Sequence, residues 1–314
     1  MKRKTLLLLF MFLIISRNVL AQGVEKQPWV RAIREATIAL GTVRPAKIQT
    51  PKGEVTKNIF AVVGTGALFS APDPSIQVPF LVTAKHVFSD PKNNWDPDSL
   101  QIRFSWFDQK PVDEYLGVTI KLKERVKRIW FPHPDSQVDL AAIPLVISVE
   151  EAGRPKVSPI PLANFAEDKD VFEGASIQAF GYPGAVGPAF WTKSVVRAGI
   201  IAWVNPQKPL NNTFLIDSLV FPGNSGGPVF RLPTGVDQFG SFNVGGKIAF
   251  LGIISEGRKE ESPLVADGKQ IDLQGPQGAV KIVSQQWVGI GVVEPASRVN
   301  QLLEHVAEQI RKVR

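Results

Sequence analysis

The run Phe221-Pro222-Gly223-Asn224-Ser225-Gly226-Gly227-Pro228 restricts the possible backbone more than any other stretch of this chain. Glycines on both sides of Ser225 remove the Cβ atoms that would block a tight turn with positive φ. Such a turn can aim the N–H groups of Gly223 and Ser225 at one spot. There they would hold an oxyanion while the Ser225 hydroxyl attacks a carbonyl. The same residues also suit a surface turn carrying an incidental serine. The two readings differ in what they require elsewhere. A serine at neutral pH is a poor nucleophile unless a base is hydrogen-bonded to it, and that base needs an orienting carboxylate.

The chain offers three histidines, His86, His133 and His305. His305 lies among Val299, Leu302, Leu303, Val306 and Ile310, the spacing of one helix face, with Glu304 and Glu308 beside it, and reads as a solvated helix residue. His133 sits between Pro132 and Pro134 and reads as part of an exposed turn. His86 follows the apolar run Pro79 to Ala84, a buried strand that leads into a short turn, and is the best-placed base. The carboxylate candidate is Asp139, at the head of the apolar run Leu140 to Ile143. Burying it beside aliphatic residues is costly unless it is paired, and an imidazole N–H is the partner that offsets the cost. A strand-edge aspartate facing solvent is the alternative, with Asp135 as a rival.

These residues carry a resemblance. The order TAKHV (83–87), VDLAAI (138–143) and PGNSGGP (222–228) resembles the chymotrypsin-fold serine proteases, and among them the bacterial trypsin-like peptidases of the HtrA (Deg) type. Gly64-Thr65-Gly66 and Asp217 fit that group's pattern as well. The resemblance implies an all-β fold of two six-stranded antiparallel barrels, about 41–150 and about 167–293, and a C-terminal helix at about 295–312. His86 and Asp139 would come from the first barrel and Ser225 from the second, as a catalytic triad. The oxyanion hole would be the backbone N–H groups of Gly223 and Ser225. Ser255, Glu256 and Gly257 would wall the substrate pocket, with Ser255 donating to Asp139 from behind. Leu219 and Val220 would form the pocket base, with no acid to hold a Lys or Arg side chain, so an apolar or small residue is expected before the cut. Asp217 would modify this only if turned inward. Asn224 stands where the digestive proteases carry the aspartate that pairs with a new N-terminus, so no propeptide cleavage is expected to gate the enzyme. The resemblance also allows a non-catalytic or partner-activated quality-control factor on the same fold.

Met1 to Ala21 has a basic start, an apolar run from Leu6 to Ile15 and a small-residue end, the pattern of a cleaved secretory signal. Arg17 and Asn18 interrupt it before the roughly 20 apolar residues that a membrane helix needs. A mature domain from about Gln22 to 314, periplasmic or secreted, is expected, with no stable membrane insertion after cleavage. Its length is filled by two barrels and leaves no room for the peptide-binding module usual in the HtrA group. Removing the signal takes four basic residues off a formal charge of +7, and the remaining +3 is too small to argue for nucleic acid. The expected partner is a protein or peptide substrate. The chain has no cysteine, which excludes disulfides, a thiol nucleophile and a thiolate metal site, and nothing in it calls for a metal or cofactor. Short strands separated by Pro, Gly, Asn and Asp turns agree with barrels. Residues 24–40 read as a helical or irregular lead-in, and 258–286 as a polar loop next to the cleft. Activity is expected to rise through roughly pH 6 to 7, where histidine becomes neutral.

Overall fold

Thr37 ends a helix and begins a strand. Its hydroxyl donates to the Ile33 carbonyl at 2.7 Å, satisfying one of the acceptors left over in the last turn of helix α1, Pro28–Ala36. The chain then runs straight into β1, Thr37–Thr50, so the expected lead-in through residue 40 is shorter by one strand start. The computed structural model describes residues 28–313, apart from 106–116, 147–156, 188–191, 208–210, 267–268, 276–277 and positions 52, 234, 244, 271 and 282. The expected signal segment lies outside the described residues. Residues 33–314 form one compact unit.

The first half of this unit is one antiparallel sheet. Its strands are β1, β2 (Gly53–Phe69), β3 (Phe80–Thr83), β4 (Ser99–Phe104), β5 (Val118–Lys121), β6 (Phe131–Pro132) and β7 (Ala141–Pro144), ordered β5-β4-β1-β2-β3-β7-β6. Leu100, Ile102 and Phe104 alternate inward along β4, as do Val118 and Ile120 along β5, and they meet Ile38, Leu40, Leu68 and Leu81 in one core. The expectation of six strands therefore meets seven, of which the two-residue β6 is the addition.

The second half closes. Strands β8 (Ser176–Gly181), β9 (Val195–Trp203), β10 (Phe214–Asp217), β11 (Pro228–Arg231), β12 (Ala249–Pro263) and β13 (Val283–Pro295) form a barrel in the order β8-β9-β10-β13-β12-β11. Its core holds Ile177, Phe214, Ile216, Val229, Leu251 and Val293. Phe69 of the first sheet stacks edge-on against Phe250 of the barrel, with ring centroids 4.9 Å apart, and Phe165, Phe230 and Phe180 continue the contact. Aromatic pairs of this kind add roughly 0.5–1.5 kcal/mol each beyond their buried area, and here they fix one half against the other. Helix α2 is Lys85–Phe88. Helix α3, Ala296–Val313, packs on β7, β12 and β13 through Val299, Leu302, Leu303 and Val306. With no disulfide to constrain the chain, these contacts carry the stability.

The polar stretch after Gly257 departs from its reading as a loop. Strands β12 and β13 continue as a ribbon, pairing Lys259 with Trp287 through to Pro263 with Val283. The Lys259 ammonium lies 4.5 Å from the Trp287 ring centroid, and Gln285 donates to Glu261 at 2.6 Å. Cross-strand cation–π and polar pairs hold this ribbon, so apolar alternation gave no sign of it.

Candidate active site

The pairing of β3 with β7 puts Thr83 opposite Ala141, so His86, three residues past one strand end, and Asp139, two residues before the other, emerge together. Lys85 N–H donates to the Asp139 carbonyl at 3.2 Å, and its ammonium donates to the Ser136 carbonyl, fastening the aspartate loop. Both carboxylate oxygens of Asp139 are used. Oδ1 accepts the backbone N–H of His86 at 3.1 Å, and Oδ2 lies 2.7 Å from the ring Nδ1. The carboxylate assigns the ring proton to Nδ1 and leaves Nε2 as a free base. The two side chains are 38% and 30% exposed, open enough for a substrate to reach. The rival Asp135 instead caps its own turn, accepting Gln137 N–H at 2.9 Å.

Burial opposes the charged form of His86. The hydrogen bond and charge of Asp139, aided by Asp90 and Glu256, outweigh it and hold the imidazole pKa above its ordinary 6.5. The ring therefore becomes a usable base at a higher pH than a free imidazole would. His133 is buried, not exposed. Its Nδ1 accepts Asp135 N–H at 3.0 Å, and burial lowers its pKa, which fits a structural role. His305 sits half-buried on α3.

Around Ser225, Asn224 N–H donates to the Phe221 carbonyl at 3.0 Å across Pro222 and Gly223, and Gly223 has φ +97°. This is a type II turn, whose third position needs positive φ. Its two inner carbonyls are pinned: Pro222 O accepts Gly184 N–H at 2.9 Å, and Gly223 O accepts the Thr65 hydroxyl at 2.6 Å. Thr65 N–H also donates to the Ser225 carbonyl at 2.8 Å, so the Gly64-Thr65-Gly66 segment ties the first sheet to the serine turn. Gly226, at φ +88°, lies so close to Thr65 O and the Thr83 hydroxyl that any Cβ there would overlap both. The N–H groups of Asn224, Gly226 and Gly227 are spent on the protein. Those of Gly223 and Ser225 donate to no protein acceptor among the described residues. A Cβ at Gly64 would lie 2.6 Å from Val87 and 3.2 Å from the Ser225 carbonyl oxygen, so the His86 helix and the Ser225 turn meet across β2. Among the described residues, no hydrogen bond joins the Ser225 hydroxyl to the ring. Catalytic contacts of this sort often tighten only when substrate binds.

One expected contact is not made among the described residues. Ser255 does not donate to Asp139; at a bulge in β12 its hydroxyl donates to the Val292 carbonyl at 3.2 Å. A different contact reaches Asp139 from the second barrel: Glu294 accepts its backbone N–H at 3.2 Å. Buried Val220 packs against Gly257 and Gly291, whereas Leu219 is half-exposed beside Gly289. A Cβ on Gly257 would lie 2.8 Å from the Trp287 ring. Glu256 is exposed on the same strand, and Asp217 faces outward from β10. Sequence reading places a strand at 287–293, so Glu294, one residue beyond it, falls outside the expected site, and Trp287 reads only as a strand residue. A separate cavity of about 430 Å³ beside Arg231 and Lys247 has its charges paired, Arg231 with Asp170 at 2.8 Å and Lys247 with Glu167 at 2.9 Å, and it shares no residue with this site.

A closed antiparallel barrel beside a second antiparallel sheet, with a hydrogen-bonded histidine–aspartate pair and a glycine-framed serine turn, agrees with the serine endopeptidases. Residues 64–236, over half the chain, match the trypsin-like peptidase domain, and the chain belongs to that family. Among solved structures, the HtrA-type protease AlgW with a decapeptide is similar, at 16% identity over 91% of this chain and 67% of that one, with a TM-score of 0.48. A comparison with curated proteins gave no match.

Proposed function

We propose that this endopeptidase cuts protein or peptide substrates through a triad of Ser225, His86 and Asp139 and acts after export. The observation that carries the reading is the 2.7 Å contact between His86 Nδ1 and Asp139 Oδ2, and two N–H groups in the serine turn left without an acceptor among the described residues support it. Ser225 Oγ attacks the scissile carbonyl as its proton passes to His86 Nε2. The charge that develops on the carbonyl oxygen is held by the N–H groups of Gly223 and Ser225. Collapse expels the amine, which leaves with the proton from His86. Water then attacks the acyl-serine, gives a proton to the same nitrogen, and frees the acid as Ser225 regains its hydrogen.

A fluorophosphonate probe should label the chain purified after export, with its N-terminus near Gln22 by mass spectrometry and with no further trimming. The Ser225→Ala variant should stay unlabelled. Absence of labelling in the unaltered chain, with or without added peptide or unfolded protein, would leave only a binding role.

The expectation of an apolar pocket base is supported by Val220, which is buried against Gly257 and Gly291, and by Asp217, which is exposed. Burying an unpaired Lys or Arg side chain against such a surface costs several kcal/mol, on the order of a thousandfold in rate. A peptide library should show dominant cleavage after small or apolar residues, and a preference for Arg, Lys or Glu would refute the assignment.

A further inference from the structure

We propose that Glu294 is a positioning residue for the catalytic aspartate, reaching across from the second barrel to set Asp139 for His86; this rests on the triad reading. Glu294 is 3% exposed, at the end of β13 where the strand gives way to α3. Its backbone is held by pairing with Ile253. Its carboxylate is divided between two donors: Oε1 accepts the backbone N–H of Asp139 at 3.2 Å, and Oε2 accepts Arg298 Nη1 at 2.7 Å, one helical turn further on. Asp139 is thus gripped from three directions. Lys85 N–H takes its carbonyl, His86 takes both carboxylate oxygens, and Glu294 takes its N–H.

The first two grips belong to the same sheet as Asp139 and would move with it. Among the described residues, Glu294 alone hydrogen-bonds Asp139 from the barrel that carries Ser225. A buried carboxylate would be costly for a merely structural role, and Arg298 offsets that charge without touching Asp139. The contact is to a backbone N–H, so an uncharged acceptor of the same shape should serve equally well.

That property gives the test, made on the mature chain with a peptide substrate. Replacing both members of a buried ion pair by apolar residues of similar volume avoids leaving a lone buried charge, so Glu294→Met/Arg298→Met should fold. It should lower kcat by about 10- to 100-fold, the scale expected for a catalytic group displaced by less than about 1 Å, with KM within about twofold. The downfield NMR signal of the His86 Nδ1 proton should broaden or shift. Glu294→Gln made together with Arg298→Met keeps an acceptor for the Asp139 N–H and removes the donor that would compete for the single amide oxygen, so it should retain kcat within about threefold and the same signal. Wild-type kcat in Glu294→Met/Arg298→Met, or a tenfold loss in Glu294→Gln/Arg298→Met, would overturn the proposal; the second result applies even if the first variant fails to fold. Ser225→Ala, run alongside, separates the two readings: if it still cleaves, the triad itself is wrong, whereas if it is silent only the role of Glu294 is at issue.

Discussion

Ser225→Ala is expected to lower kcat by about 10⁶ while leaving the fold in place. The loss is large because no other group in the site can form the acyl intermediate. What remains is the acceleration that the unspent N–H pair and substrate binding supply over water, on the order of 10³–10⁴. The fold should survive because the serine turn is held by backbone groups and by Thr65. The bonds from Thr65 to Ser225 O and Gly223 O, from Gly184 to Pro222 O and from Gly226 to Ile254 O all leave the Ser225 hydroxyl out. The thermal midpoint should therefore stay within about 2 °C, as for a substitution that removes no packing or bonding. Adding His86→Ala should cost almost nothing more, since a base without a nucleophile does no work. If Ser225→Ala kept more than about 1% of the activity, the hydrolysis would have to run through another group.

How much of this could be read from the sequence depended on whether one residue's chemistry, or many residues' pairing, decided the outcome. Ser225 stood out because Gly223 and Gly226 must adopt positive φ, and only glycine does so without cost. His86 and Asp139 stood out because each follows or precedes a short buried strand, and those strands pair with each other. The second barrel was expected from the resemblance that its motifs carry, and Phe214 and Ile216 fill its core. By contrast, the ribbon beyond Gly257 is held by Lys259 on Trp287 and Gln285 on Glu261, contacts that have no periodic signature. Glu294 escaped notice for a related reason. Its partner is a backbone N–H about 150 positions away, and a glutamate at a strand end looks the same whether it faces solvent or supports a buried loop. The turning of the Ser255 hydroxyl to Val292 goes with a bulge at Ser255, a detail of register that short strand signals do not encode.

Asp139→Asn should lower kcat at neutral pH by about 10⁴, through the tautomer of His86 more than through position. In the unaltered protein Oδ1 accepts the His86 backbone N–H and Oδ2 accepts the ring Nδ1–H. An asparagine has one acceptor for these two donors. The backbone N–H cannot change its character, so the amide oxygen should stay with it and the amide NH₂ should face Nδ1. The ring then accepts at Nδ1 and carries its proton on Nε2, where the base is needed. The loss of the carboxylate has a second consequence. Burial lowers the pKa of His86, and it is Asp139, with Asp90 and Glu256, that raises it above 6.5. Without Asp139 the burial effect gains ground, so the rising limb of what activity remains should move to lower pH. Stability follows the same sign. A ring whose folded pKa is raised stabilises the fold fully below about 6.5 and loses that contribution as pH rises through the folded value. Asp139→Asn should therefore lower the thermal midpoint more at pH 5.5 than at pH 9. A variant with more than a tenth of the normal kcat, or with its limb unmoved, would mean that Asp139 does not govern the ring.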